Sequence, residues 1–253
     1  MNKIIQQFLG ACIVIIPTIT MAQDDLSVGV GVMARSGLYK DENTQFTAIP
    51  MIHWDSGRFF VKGTELGVHM LNKESAHALN ASIYYSPFMF DPDESDSDQM
   101  KKLSKRKSTA MAAIEYKYKI NQGNAGIVHV KLAGDILSES DTLLVETGYT
   151  YPIHVSEKLI ITPNAGVTWY NKKHNDYYFG VSEQESANTG FQRFEAKDSL
   201  EPHIAVAMRY KFNNHWSVLG TVKHSFTSSK VKDSPIVDQS SVTMGMAGIQ
   251  YTF

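Results

Sequence analysis

The sequence predicts an all-β protein whose strands close into an antiparallel transmembrane β-barrel. Short segments of alternating apolar and polar residues recur along the chain and are separated by turn residues. Aromatic residues collect near the ends of these segments, where a membrane barrel carries its interfacial girdles. The connections are mostly short and long in turn, which is typical of barrels in the bacterial outer membrane. Together these observations favour a membrane barrel over a soluble sandwich.

Residues 1–22 have the pattern of a secretory signal peptide. Lys3 supplies a positive charge, an apolar run follows it, and the segment ends on the small residue Ala22. We predict cleavage between Ala22 and Gln23. Residues 23–253 then form a single barrel domain in the outer membrane of a Gram-negative cell.

The single cysteine, Cys12, lies within this leader. Lipidation at Cys12 is the alternative to cleavage after Ala22. The apolar run continues through residues 13–16, however, where a mature lipoprotein usually becomes polar. Cleavage after Ala22 removes the only thiol, and it therefore excludes disulfides, cysteine nucleophiles and cysteine-based zinc sites.

The net charge is close to neutral, since the chain has 24 Lys and Arg residues and 26 Asp and Glu residues. A nucleic-acid partner is therefore not expected, because such proteins present a basic surface. Apolar residues make up 43% of the chain. No run after the leader approaches the ~20 residues of a membrane-spanning helix. The apolar surface must therefore be buried in a core or face lipid.

Alternation places strands along the whole chain after the leader. We predict them at 26–34, 44–54, 58–71, 76–86, 109–120, 127–135, 142–151, 159–170, 204–212, 216–226 and 241–253. Two shorter strands, 177–181 and 191–196, are expected inside the long connection 171–200. The total is about 12 strands, with about 10 as the alternative, because such barrels have an even number.

Segment 58–71 is the irregular member of this series. Phe59 and Val61 lie on one parity, whereas Leu66 lies on the other. Either a bulge at Gly63 shifts the phase or the segment is two short strands. We favour the bulge, because a tilted transmembrane strand needs ~9–11 residues.

The chain ends on an uncharged alternating segment, 241–253, with Tyr251 and Phe253 on its apolar face. An exposed apolar edge strand would invite aggregation, although the edge of a soluble sandwich is the alternative interpretation. A closed barrel removes that edge by pairing the last strand with the first. The ending resembles the C-terminal sorting signal of outer-membrane barrels. We therefore expect Tyr251 and Phe253 to be recognised by the barrel-assembly machinery.

The connection 87–108 is the most polar part of the chain, and its segment 91–98 is strongly acidic. The acidic residues are one feature of a calcium-binding loop. The segment lacks the central glycine and the distal glutamate of an EF-hand loop. We expect a solvated surface loop instead.

Ten charged or titratable residues share the strand face that would point into the barrel. They are Glu115, Lys117, Lys119, His129, Lys131, Asp135, Glu146, Arg209, Lys211 and Lys223. Pairing across the lumen is their simplest role, because an isolated charge in a narrow interior would be unfavourable. The alternative is a small channel whose excess of basic residues favours an anionic solute.

The sequence shows no catalytic constellation. The nine histidines are scattered, and neither H-E-x-x-H nor G-x-S-x-G occurs. We therefore expect a protein without enzymatic activity, without a cofactor and without a metal site.

Several stretches, each weak by itself, resemble in their order the MipA/OmpV family of outer-membrane proteins. They are residues 48–50 with 58–61, the acidic loop leading through Arg106 into a strand, 178–182, 233–237 and 248–253. The resemblance covers essentially the whole chain after the leader. It implies an outer-membrane barrel with no established catalytic residues.

The resemblance also implies a role. One family member looks like a scaffold that joins a murein-cleaving lytic transglycosylase to a bifunctional penicillin-binding protein, and others are linked to adhesion or envelope stress. We therefore expect a scaffold whose partners are outer-membrane lipid, a lytic transglycosylase and a penicillin-binding protein. Besides the channel, the alternative is a surface adhesin acting through the loops 87–108, 171–200 and 227–240.

Overall fold

The structure, a computed structural model, describes residues 26–72 and 75–253. The predicted signal peptide and its cleavage site between Ala22 and Gln23 lie outside these residues. The strands are β1 (Ser27–Arg35), β2 (Gln45–Asp55), β3 (Phe59–Lys62), β4 (Glu65–His69), β5 (His77–Ser86), β6 (Thr109–Lys119), β7 (Ile127–Asp135), β8 (Leu143–Thr150), β9 (Ile153–His154), β10 (Leu159–Tyr170), β11 (Ser199–Lys211), β12 (Trp216–Phe226) and β13 (Ser241–Thr252). The α-helices are α1 (Lys172–Phe179), α2 (Glu183–Thr189) and α3 (Ser229–Lys232).

The strands form one antiparallel sheet that closes on itself. β1 pairs with β13, which places Ser27 opposite Thr252, and β10 pairs with both β8 and β11. The two-residue β9 continues the line of β8 along β10, so the wall contains twelve strands. This arrangement confirms the predicted closed antiparallel barrel and the predicted number of strands.

Residue alternation sets the two faces of the wall. On β1, Val28, Val30 and Val32 point outward, and Val30 is 67% exposed. Ser27 and Met33, on the other parity, are buried inside. Apolar side chains outside and small or polar side chains inside reverse the pattern of a soluble protein. This pattern fits a wall in contact with lipid.

The segment 58–71 is a hairpin, and the predicted bulge at Gly63 is wrong. Lys62 lies opposite Glu65, so Gly63 and Thr64 form a two-residue turn between β3 and β4. Gly63 has a φ of 60°, which glycine adopts without strain and which suits the first position of a type II′ turn. The alternative of two short strands is therefore the observed one.

This hairpin is shorter than the strands beside it, and among the described strands none pairs with the rest of that edge of β2. β2 pairs with β3 only over residues 53–55, although it pairs with β1 over residues 45–53. The Ile52 carbonyl accepts a hydrogen bond from Gly63 N–H at 2.7 Å. Because backbone direction alternates, Pro50 faces the same side. Proline has no N–H to leave unsatisfied there, which reduces the cost of the open edge.

The two short strands predicted at 177–181 and 191–196 are wrong. α1, which begins after its N-cap Asn171, covers the start of the first segment. An isolated bridge between Val181 and Phe194 remains as extended pairing. Within the described ranges, the helices are too short or too polar for any of them to cross a membrane.

Four long connections on one side of the barrel pack together into a separate apolar core, which we call the cap. They are residues 36–44, 87–108, 171–198 and 227–240. The buried residues of this core are Leu38, Tyr39, Phe90, Met100, Leu103, Tyr178, Phe179, Val181, Phe191, Val231, Ile236 and Val237. The connection 87–108 contributes three of them, so it is partly buried and not only the solvated loop expected from its composition.

The acidic segment 91–98 forms hydrogen bonds that connect the cap to the start of β2. Asn43 donates a hydrogen bond to Asp96 at 2.9 Å. Gln45 donates one to Glu94 at 3.0 Å. Over residues 26–72 and 75–253, no cluster of three or more His, Cys, Asp or Glu side chains is arranged to hold a metal ion.

Candidate functional site in the capped lumen

Beneath the cap, the barrel contains a chamber of about 220 Å³. Five charged residues line it, each from a different strand: Arg35, Lys131, Glu146, Glu201 and Lys223. Aromatic and apolar side chains complete the lining, among them Leu38, Tyr84, Phe88, Tyr170, His174 and Phe179. A concave space that combines apolar surface with a few charged groups is the form that small-molecule sites usually take.

Strand register aligns three charged residues of the chamber with Glu115. Glu201 lies opposite Thr168, and Thr168 lies opposite Glu146. Glu146 lies opposite Lys131, and Lys131 lies opposite Glu115. Directly opposed residues project from the same face of a sheet. Register therefore places four charged side chains in one row on the lumen side of the wall.

Glu146 lies between two histidines. Its Oε1 is 3.6 Å from His129 Nε2 and 3.9 Å from His203 Nε2. Each ring covers a glycine of the wall: a Cβ on Gly148 would lie 2.7 Å from His129 Cε1, and a Cβ on Gly166 would lie 2.9 Å from His203 Cε1. The missing side chains at these two positions let both imidazoles approach the wall beside the carboxylate.

The structure brings together part of the residue set that the sequence places inside. Lys131, Glu146 and Lys223 line the chamber. His129 lies beside Glu146, although Nε2 of His129 makes no hydrogen bond in the described part of the chain. The Nζ atom of Lys131 lies 4.1 Å from the centroid of the Tyr84 ring, which is a cation–π contact.

The other inward residues lie away from the chamber. Lys117 Nζ is 2.9 Å from Glu115 Oε2, which makes a local ion pair. Lys119 ends β6 and Lys211 ends β11, so both lie at the end of the barrel opposite the cap. Arg209 is two residues from Lys211 and lies toward that same end.

Asp135 shapes a turn at the cap end of β7. Its carboxylate accepts hydrogen bonds from the Thr109 hydroxyl and from the N–H groups of Leu137 and Ser140. These bonds fix the start of the connection to β8. Asp135 is therefore a structural residue of the rim.

Sequence reasoning misses Glu201 and His203. It starts the strand at Ile204, whereas β11 begins at Ser199. The signal that could have found them is the period of two, which continues backward from the strand through both residues. Pro202 obscures it, because proline usually argues against a paired strand.

Another part of the lumen is apolar. Met33, Ile49, Met51, Leu219 and Met246 form a buried cluster on β1, β2, β12 and β13. The strands β1 and β12 therefore carry both a charged residue of the chamber and a residue of this apolar cluster.

His174 of α1 contributes to the upper lining of the chamber. Its Nδ1 is 2.8 Å from Thr142 Oγ1, and its ring stacks on Tyr170 with centroids 4.4 Å apart. Burial lowers the pKa of His174 to about 3, because a protonated imidazole would be poorly solvated in the cap. The ring is therefore neutral at physiological pH.

Known proteins resemble the chain over its whole length. The family model described as MltA-interacting protein MipA matches residues 28–253. The MltA-interacting protein of Escherichia coli K12 is 32% identical over 253 residues, which is 100% of each chain. The putative outer membrane protein YiaT of Escherichia coli K12 is 28% identical, covering 90% of this chain and 91% of YiaT. Outer membrane protein OmpV of Vibrio cholerae is 22% identical, covering 88% of this chain and 85% of OmpV.

Proposed function

This chain belongs to the MipA family of MltA-interacting proteins, and on that premise we propose that it is a non-enzymatic scaffold that binds a murein-hydrolysing lytic transglycosylase. The protein itself is an outer-membrane β-barrel. The observation that supports the scaffold role most directly is the full-length identity of 32% to a protein named for its interaction with MltA. A murein synthase of the penicillin-binding class is the second partner of the proposed scaffold.

The docking surface in this proposal is the barrel rim opposite the cap. Both ends of the described chain lie there, since Phe253 N–H donates to the Leu26 carbonyl at 3.0 Å. Short turns at one rim and long loops at the other mark the periplasmic and outer sides of such barrels, respectively. The cap therefore faces outward, and the opposite rim faces the murein layer.

Exposed apolar side chains on the periplasmic rim suit a protein partner. Val155, in the turn after β9, is 54% exposed, and Met70 is exposed where β4 leaves the wall. Apolar side chains at the centre of an interface supply much of its binding energy. We expect the transglycosylase to cover Val155.

The test is direct binding in detergent. Folded protein is immobilised, and the lytic transglycosylase of the same organism is titrated over it by surface plasmon resonance. Val155→Ser should weaken binding about tenfold. Leu137→Ser is the matched control, because Leu137 is an exposed apolar residue in a connection on the cap side. Absence of binding by folded wild-type protein would contradict the proposal.

The channel alternative depends on the cap. The cap packs over the outer mouth of the lumen, so steady conductance would require its connections to move apart. Planar-bilayer recording separates the two functions. A steady, weakly anion-selective current from folded protein would favour the channel, whereas silence combined with transglycosylase binding would favour the scaffold.

A further inference from the structure

Three charged residues of the chamber make no contact ion pair, although Glu146 and Glu115 lie opposite Lys131 in the strand register. Lys131 is only 4% exposed, and its ammonium contacts the face of Tyr84. Among the described residues, no oppositely charged group lies within 4.0 Å of Lys131, Lys223 or Glu201. A buried charge that makes no contact ion pair is only partly compensated. These three groups are therefore positioned to meet charges on another molecule.

The other two charged residues of the chamber have close side-chain neighbours. Arg35 Nη2 is 2.6 Å from Glu42 Oε1. Glu146 lies between His129 and His203. The groups without a contact partner are therefore two ammonium groups and one carboxylate. A ligand that complements this set has two anionic groups and one cationic group.

The chamber also limits the size of the ligand. Pockets for drug-sized ligands start at about 300 Å³, and this chamber has about 220 Å³. Phe88, Phe179 and Leu38 supply apolar surface for a short methylene chain. We infer that the chamber binds a small amino dicarboxylic acid of the size of glutamate, with Lys131 and Lys223 as partners of its carboxylates and Glu201 as partner of its ammonium.

This site is independent of the periplasmic docking surface. The chamber lies directly beneath the cap, whereas the proposed transglycosylase surface lies at the opposite rim. A failure of one proposal therefore leaves the other untouched, and the two are tested by different ligands.

The first experiment is calorimetric titration of the folded protein in detergent with L-glutamate. Glutarate lacks the amine, and L-glutamine lacks the second charged carboxylate. Each should bind about tenfold more weakly than glutamate, which corresponds to the loss of one ion pair. Equal binding of glutamate and glutarate, or no saturable binding, would overturn the inference.

Substitutions test which residue of the chamber contacts which charged group of glutamate. Lys131→Met and Lys223→Met should each weaken glutamate binding about tenfold. Glu201→Gln should remove the preference for glutamate over glutarate, which a general loss of structure would not do. Lys211→Met is the matched control, because Lys211 carries an inward charge at the far end of the lumen. An equal effect of Lys211→Met would show non-specific electrostatic attraction and overturn the assignment.

A second measurement does not require glutamate to pass the folded cap to reach the chamber. Protein is refolded with glutamate present, and its urea midpoint is compared with that of protein refolded with lysine hydrochloride at equal ionic strength. A ligand that binds only the folded state raises the midpoint in proportion to its occupancy. No difference between the two refolded samples, for wild-type protein that shows the gel shift of a folded barrel, would overturn the inference.

Discussion

Arg106 and Glu185 form a buried ion pair that joins two connections of the cap. Arg106 Nη1 lies 2.7 Å from Glu185 Oε1, and the side chains are 8% and 9% exposed. Burial by itself would raise the pKa of Glu185, but the Arg106 guanidinium and the Ser182 and Ser104 N–H groups lower it to about 2. Because Ser182 and Glu185 also form the capping box of α2, the pair fixes the start of this helix against the connection 87–108.

Arg106→Met is expected to open the cap while the barrel stays closed. The substitution leaves the Glu185 carboxylate buried without its cation, which costs about 3–5 kcal/mol. Limited proteolysis should then cleave the connection 87–108 much faster than in wild-type protein. The gel shift of unboiled protein should persist, because the wall is held by strand pairing. Replacing both residues by Met and Leu should recover much of the loss, and a double variant as labile as the sum of the single variants would contradict this account.

Acid should loosen the cap through His174. Its pKa falls from an ordinary value near 6.5 to about 3 on burial. The unfolded segment therefore binds a proton more readily than the folded cap. The stabilisation linked to the neutral ring is complete above about pH 6.5 and is lost as the pH falls toward 3. Hydrogen exchange of residues 172–179, corrected for the intrinsic effect of pH, should show this trend. His174→Asn should flatten it over the same range, and an unchanged slope in that variant would exclude His174 as the cause.

The wall is predictable from the sequence because one lipid-facing parity must stay apolar along a whole strand. The segments 127–135 and 159–170 coincide with β7 and β10 for this reason. Alternation cannot separate a bulge from a tight turn, because both shift the phase at one residue. Only the observed pairing of Lys62 with Glu65 therefore shows that Gly63 lies in a tight turn.

The cap is not predictable in the same way. Its core joins residues far apart in the chain, such as Tyr39 and Tyr178, whose hydroxyl and carbonyl groups lie 3.1 Å apart. Each connection by itself is polar and has no period that marks a buried face. The chamber depends on the same long-range packing, so Lys131 and Lys223 could be predicted to face inward but not to share one space.

Gly148→Ala should destabilise the barrel because its methyl group would collide with His129. The new Cβ would lie 2.7 Å from His129 Cε1 and 3.0 Å from the Ala165 carbonyl oxygen. We expect a loss of about 1–3 kcal/mol, as for other overpacked sites. Gly245→Ala is the matched control, because no atom lies within 4 Å of its added Cβ. Urea unfolding in detergent measures both, and equal effects would show that the histidine is not the obstacle.

Pro50→Thr should promote association between barrels. Threonine adds an N–H group to the open edge of β2, where it can pair with another strand. The oligomeric fraction after refolding should rise, as measured by size-exclusion chromatography with light scattering. Pro163→Thr is the control, since β11 pairs with β10 at this residue and, on the other side, Tyr151 N–H already bonds to the Pro163 carbonyl. An equal rise in both variants would point to a general effect of losing proline.

Phe253 should matter for assembly more than for stability. Its side chain is 69% exposed, and its ring lies beside that of Tyr251, with 5.1 Å between the ring centroids. Phe253→Ala should therefore change the free energy of unfolding in detergent by no more than about 0.5 kcal/mol. If Tyr251 and Phe253 are read by the barrel-assembly machinery, as we propose, the same variant should be sharply depleted from the outer-membrane fraction of cells.

Phe226→Ala is the matched control for this experiment. Phe226 is an exposed outward aromatic residue at the cap end of β12, so its loss removes a similar apolar surface without touching the C-terminus. It should reach the outer membrane at nearly the wild-type level. Equal depletion of both variants would contradict the proposed signal. The assembly defect would then result from the loss of any outward aromatic residue and its lipid contact, and not from a change in the C-terminal residues.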